Sequence, residues 1–200
     1  LICIGLINVA GQNIEIEIRG MNAFTFILII AVLLQIIFFI PSFLLKTEKY
    51  YDIVGSLTFI ITISIAYFSV ENKTMIDSII YFYVMVWASR LGIYLFRRVR
   101  NDGKDIRFEK AKRHFFWFLQ YWMGQALWVS LTACAAIIAI LSPEDNTLSV
   151  FAIIGMALWL SGFAIESISD YQKRVFRKEN NPSESFIHTG LWARSRHPNY

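Results

Sequence analysis

The last twelve residues, Thr189 to Tyr200, crowd chemistry into a short stretch: Thr-Gly-Leu-Trp-Ala-Arg-Ser-Arg-His-Pro-Asn-Tyr. Arg194, Arg196, His197, Asn199 and Tyr200 offer hydrogen-bond donors of different geometry. Guanidinium forks match phosphates, and amide, imidazole and phenol groups supply directional bonds. Such a set suits a polyanionic ligand rich in hydrogen-bonding groups, such as a nucleotide cofactor. A second group lies upstream. Glu166 and Asp170 are four residues apart, and Arg177 comes seven residues later. On one continuous helix these three share a face. The two carboxylates repel each other unless a cation or a donor lies between them. Spacing leaves two readings open: a polar ligand-binding stripe, or a solvated helix end with an ion pair.

Other candidates are more dispersed. Residues 97–113 are rich in Arg and Lys and carry Asn101-Asp102-Gly103, a turn signal. Their cations could cradle phosphates or meet anionic lipid. Glu48, Tyr50, Tyr51 and Asp52 cluster before an apolar run, and Tyr94 ends another. Tyrosines at such places serve as interface anchors or as proton donors. Arg90 sits inside an apolar run, about 10 Å from its basic end, where it either snorkels or meets a ligand. No GxGxxG, Walker sequence, CxxC pair or His/Cys cluster occurs. A Rossmann-bound dinucleotide is therefore unsupported, and no metal site is expected. Cys3 and Cys134 lie in apolar runs and read as packing residues.

These residues need a scaffold, and composition says which kind. The chain of 200 residues is 56% hydrophobic and only 17% charged. Soluble domains carry about 25% charged residues. So little charge excludes a soluble globular enzyme, a nucleic-acid module or a disordered regulator, and leaves an integral membrane protein. Five apolar segments are long enough to cross a bilayer, at about 23–40, 53–70, 76–96, 115–141 and 148–168. They lack period-two alternation and must satisfy their own backbone groups in lipid, so they are expected to be helices. The fold class is all-α, a polytopic transmembrane bundle. Pro41 is expected to stop the first segment. Residues 1–20 read as an extension outside the core, and 21–200 as the membrane domain. Met21 is expected to be the natural start, and the polar ending at Tyr200 suggests a chain that continues.

Loop charge orients the bundle. Residues 97–114 hold eight basic and three acidic side chains, while 142–147 carry only Glu144 and Asp145. Residues 170–200 hold six basic and three acidic. The positive-inside rule puts 97–114 and 170–200 in the cytosol and 142–147 outside or in a lumen. That alternation is consistent through all five segments. The sequon Asn72-Lys73-Thr74 falls on the outer side and reads first as a connecting turn.

Three stretches together carry a resemblance: Thr189-Gly190-Leu191-Trp192 with Ser195 to Tyr200; Arg90 to Phe96 with Arg97, Arg98, Gly103, Asp105, Arg107 and Phe108; and Gly162 to Glu166 with Asp170, Gln172, Lys173 and Phe176. Over about 50–200 the chain resembles the uncharacterised membrane proteins grouped with the C-terminal domain of steroid 5-alpha-reductases. The resemblance implies about seven transmembrane helices and reduction, with NADPH, of a carbon–carbon double bond conjugated to a carbonyl. It places Asp170, Arg177 and Asn199 on cofactor-contact positions. Glu166 falls on another, where those reductases carry Asn. Arg196, His197 and Tyr200 complete the expected cofactor set. The Gln-Glu pair that serves the carbonyl in steroid reductases is not seen here. Tyr94, Tyr51 and Asp52 are the remaining catalytic candidates, and the implied substrate is a lipid-like or steroid-like enone. A similar Arg-His-Pro motif occurs in isoprenylcysteine and phospholipid methyltransferases, which bind S-adenosylmethionine. A methyltransferase is therefore one alternative, and a non-enzymatic lipid-binding membrane protein is another. The expected partners are membrane lipids and a lipid-like substrate, not nucleic acid. The expected location is an endomembrane such as the endoplasmic reticulum, or a bacterial inner membrane.

Overall fold

The computed structural model describes residues 11, 13–102, 108–142, 148–179 and 186–199. They form five helices long and apolar enough to cross a membrane. These are α1 (Ala23–Leu44), α2 (Tyr51–Ser69), α3 (Met75–Asp102), α4 (Phe115–Leu141) and α5 (Val150–Glu179). A minimal hairpin, β1 (Glu17–Ile18) and β2 (Met21–Asn22), precedes α1. Single 3₁₀ turns span Ala111–Arg113 and Gly190–Ala193. The protein is an all-α polytopic membrane protein. The chain divides into two compact units, Leu1–Asn146 and Thr147–Tyr200.

In the first unit side chains close the N-termini of α1 and α3, and a backbone turn closes the C-terminus of α1. Asn22 caps α1, accepting from Thr25 N at 3.2 Å. Its amide nitrogen also donates to the Gly11 and Ile14 carbonyls, at 3.1 and 2.8 Å. The turn between the strands uses positive φ at Arg19 and Gly20, as a two-residue hairpin turn of this hand requires. Residues 14–18 thereby fold back onto the bundle, and Ile14 is buried in the core. Part of the extension set outside the core by sequence thus belongs to it.

Pro41 does not stop α1, which continues to Leu44. In the last turn, proline forfeits only one bond. The helix ends instead where Lys46 turns left-handed, at φ 49°. Lys46 N donates to Phe43 O at 3.2 Å, and Thr47 N to Ser42 O at 2.9 Å. That is the paired closure of a Schellman motif, here built on lysine rather than glycine.

Thr74 and Asp77 close the N-terminus of α3 reciprocally. Asp77 N donates to Thr74 Oγ1 at 3.1 Å, and Thr74 N to Asp77 Oδ2 at 2.9 Å. Asp77 is therefore a capping residue at the membrane edge. Along α2 the hydroxyls of Ser56, Thr58, Thr62 and Ser69 donate to carbonyls one turn back, which keeps them satisfied in lipid. α3 runs on through Asn101 and Asp102. The expected turn there can begin no earlier than Gly103, which lies outside the described residues, as do Asp105 and Arg107.

Lipid gives no hydrophobic drive between helices, so close packing must hold them. A Cβ added at Gly92 of α3 would meet Ser56 Cβ of α2 at 2.8 Å. Gly55 of α2 likewise leaves its space to the Gln125 side chain of α4. Toward the basic end, Phe39, Val54, Phe108, Ala111, Phe118 and Trp122 form an aromatic core. Toward the other end the core is mainly aliphatic and includes Ile14, Ile27, Ile63, Ile137 and Ile140, with Phe24 and Phe59 among them. Large apolar residues such as Ile37, Leu44 and Phe68 stand exposed on the outside, where a membrane protein meets acyl chains.

Candidate functional site

In the second unit, α5 does not end with its apolar run near Ile168. It continues for three further turns to Glu179, so Glu166, Asp170 and Arg177 share one face of one helix. Only two residues of α5 are buried, Ser169 and Asp170. Both are bonded by the segment beyond the helix. Trp192 Nε1 donates to Ser169 O at 3.1 Å. Asn199 Nδ2 donates to Asp170 Oδ1 at 3.1 Å. Between them, Leu191 N donates to Gln172 Oε1 at 3.1 Å, and Lys173 Nζ lies 4.8 Å from the centre of the Trp192 ring. Gly190 adopts φ +63°, and a side chain there would collide with Gln172. The glycine is needed for the turn and for the close approach.

The segment 190–199 is thus clasped along α5 at Ser169, Asp170 and Gln172. Asp170 is 3% exposed. The amide of Asn199 supplies the donor that a buried carboxylate needs. Asn199 Oδ1 is buried and accepts no hydrogen bond among the described residues. Arg194, Arg196 and His197 are exposed, Glu166 is half-buried and Arg177 is exposed. The structure therefore brings Asp170 and Asn199 into contact and places the other cations near them in sequence. Tyr200 lies outside the described residues. A buried acceptor, a buried carboxylate and exposed guanidinium groups fit a ligand with both N–H donors and phosphates. The parts played by Trp192, Ser169 and Gln172 were not read from sequence. The available signal was the Trp itself, whose indole N–H must find an acceptor when packed.

In the first unit, the proposed catalytic residues are held by neighbours of their own. Asp52 accepts from Arg98 at 3.2 Å. The Tyr51 hydroxyl donates to the Tyr121 carbonyl at 3.1 Å, and its ring packs on Phe108 and Trp122 at 4.7 and 5.4 Å. For Tyr51 to protonate a substrate, that backbone bond must be exchanged. Tyr94 is half-buried on α3, one turn before Arg98. Glu48 is 4% exposed and accepts from Lys112 at 2.8 Å. Arg90 is half-buried on α3.

One polar feature was missed. Gln35, in the middle of α1, is fully buried and donates to Thr58 Oγ1 at 2.8 Å. Among the described residues its Oε1 has no partner, nor do Trp122 Nε1, Ser42 Oγ and Gln125 Oε1. All four atoms belong to α1 and α4. A lone amide within an otherwise apolar run was the legible sign of it. No group of three His, Cys, Asp or Glu able to hold a metal occurs among the described residues.

A family model described as "Protein of unknown function (DUF1295)" matches residues 38–200. No curated protein and no solved structure matches the chain.

Proposed function

We propose that this chain, which belongs to the DUF1295 family, is a membrane reductase that saturates a carbon–carbon double bond conjugated to a carbonyl in a lipid-like substrate. The observation that carries the proposal is the clasp of Asn199 onto Asp170. It joins the distal end of a membrane-spanning helix to a cation-rich segment, and leaves a buried acceptor at Asn199 Oδ1. The resemblance to the steroid 5-alpha-reductase group, carried by the same residues, supports NADPH as the cofactor. When bound, NADPH supplies the hydride. Held by Asp170, Asn199 and the neighbouring arginines, it would let the substrate's β-carbon be reduced, with the α-carbon taking its proton from water.

In this reading Asp170 and Asn199 orient the cofactor's amide or amine groups. Arg177, Arg194 and Arg196 neutralise its phosphates, and His197 adds a donor at their edge. Glu166 replaces a neutral amide with a carboxylate and would bind a hydroxyl rather than a phosphate. The carbonyl needs a hydrogen-bond donor to stabilise the enolate. Tyr94 and Tyr51 are the candidates for that donor, with Asp52 setting the position of Arg98. The positive loops support a site on the cytosolic face of an endomembrane or a bacterial inner membrane.

The test is thermal stabilisation of the full-length protein in detergent by NADPH and, separately, by S-adenosylmethionine. Stabilisation by NADPH, followed by its oxidation with an enone lipid, is the expected result. Stabilisation by S-adenosylmethionine alone overturns it in favour of a methyltransferase. No shift with either leaves a non-enzymatic lipid-binding protein.

A further inference from the structure

Among the described residues, the basic stretch at 97–114 includes cations that no ion pair consumes. The structure sorts them. Arg98 is tied to Asp52 and Lys112 to Glu48. Lys110 and Arg113 are exposed and form no ion pair among the described residues. They flank a turn whose place is fixed, because Phe108 and Ala111 are buried in the aromatic core. Two cations held by a rigid turn are a surface built for an anion rather than a solvated loop.

The next residues along the chain identify the anion. Phe115, Phe116 and Trp117 are 45%, 82% and 48% exposed. They form the first turn of α4, a helix of 27 residues long enough to cross the bilayer. Aromatic rings at that level mark the boundary between headgroups and acyl chains. The outer face of α4 continues inward through Trp117, Gly124 and Trp128, which lie within a narrow angular stripe at about 100° per residue. A Cβ added at Gly124 would meet nothing within 4 Å, and Trp128 is 67% exposed. The glycine leaves a shallow groove between two tryptophans about 16 Å apart along the axis. From the charged end inward, the surface reads cation pair, aromatic collar, apolar groove.

We propose that this face of α4 is a binding site for an anionic phospholipid of the adjoining leaflet. Lys110 and Arg113 take the headgroup phosphate, Phe116 and Trp117 flank the ester region, and one acyl chain lies along Gly124 against Trp128. A soluble phosphate would use only the cations. The continuous groove beneath them selects a ligand that carries its own acyl chains. The site does not depend on the reductase reading, only on α4 spanning the membrane.

The test uses the full-length protein in mixed micelles, with phosphatidylglycerol or phosphatidylcholine brominated on the acyl chain as tryptophan quenchers. Brominated phosphatidylglycerol is expected to reach half-quenching at a mole fraction roughly tenfold lower than brominated phosphatidylcholine, the order expected for two cations at an anionic surface. Lys110→Gln with Arg113→Gln should abolish that preference while leaving the melting temperature unchanged, since both side chains are exposed. Gly124→Leu should keep the headgroup preference but reduce the depth of quenching. Trp117→Phe with Trp128→Phe should remove the part of the quenching that prefers phosphatidylglycerol, leaving the background from Trp87 and Trp159, which are half-buried on other spans. Equal quenching by the two lipids in the parent protein overturns the proposal. So does a preference for phosphatidylglycerol that survives in the double glutamine variant, or that persists without Trp117 and Trp128. Arg113→Gln alone, expected to lose about half of the preference on a logarithmic scale, repeats the reading if the double variant is poorly produced.

Discussion

The sharpest prediction concerns the contact between Asn199 and Asp170. Asn199→Ala removes a donor at 3.1 Å from a carboxylate that is 3% exposed. A hydrogen bond to a buried charge contributes about 1.5–3 kcal/mol. NADPH affinity should therefore fall by about ten- to a hundredfold, at about 1.4 kcal/mol per factor of ten. Asn199→Asp is isosteric and harsher. Two carboxylates at that separation repel by about 5 kcal/mol at an effective dielectric constant near 20. The pair then either protonates or separates, and binding should be lost from the measurable range. The decisive variant is the exchange, Asp170→Asn with Asn199→Asp. It rebuilds one carboxylate and one amide at the same place with the direction reversed. If the two side chains act as a unit, NADPH affinity returns to within about threefold of the parent, a coupling that the single variants cannot give. The assay is NADPH titration of the full-length protein in detergent, with melting temperature recorded alongside. Two results refute the reasoning: parent-like binding by Asn199→Asp, or an exchange variant no better than that single change.

Three further outcomes concern the first unit. Lys112→Met takes from the buried Glu48 its 2.8 Å ion pair, and should cost about 1.5–3 kcal/mol in an unfolding titration, the worth of a hydrogen bond to a charged group. Adding Glu48→Gln should recover most of that loss. Gly92→Ala drives a methyl to 2.8 Å from Ser56 Cβ and should destabilise by about 1–3 kcal/mol as overpacking; combining it with Ser56→Gly should relieve the clash. Gln35→Leu removes an interhelical bond within the membrane, where such bonds average about 0.6 kcal/mol. Unfolding should therefore shift by less than about 1 kcal/mol, and a larger loss would mean that the amide organises more than Thr58.

The five spans were legible because lipid allows one solution for a long apolar run, and composition alone marks it. Their ends were less legible, because an end is decided by local bonding rather than by hydropathy. Pro41 looked like a terminator, yet the terminator is Lys46, whose left-handed backbone no residue type announced. α3 and α5 outrun their apolar stretches, since a helix leaving the membrane needs no apolar face to continue. The hairpin at 17–22 has two residues per strand, too few for any periodicity. At the candidate site, the shared face of Glu166, Asp170 and Arg177 followed from helical spacing. That Asn199 would return to Asp170 did not, because the chain between them is not helical throughout and its path depends on Gly190 and Trp192. The burial of Glu48 and Gln35 was also hidden, since polar residues in or beside a span carry no mark of which face they occupy.

Asn22 has a consequence for the order in which the molecule can be made. One side chain closes the first helix and ties down residues 11 and 14, and Ile14 joins a core that also contains Ile137, Ile140 and Leu141. The earliest described part of the chain therefore shares its core with residues synthesised more than a hundred positions later. During biogenesis the hairpin can form locally, but the burial of Ile14 is completed only after α4 has been inserted. Only then does that end of the bundle shut. Assembly on this side is thus governed by long-range closure, and the aromatic half waits for the same helix, because Phe118 and Trp122 lie on α4.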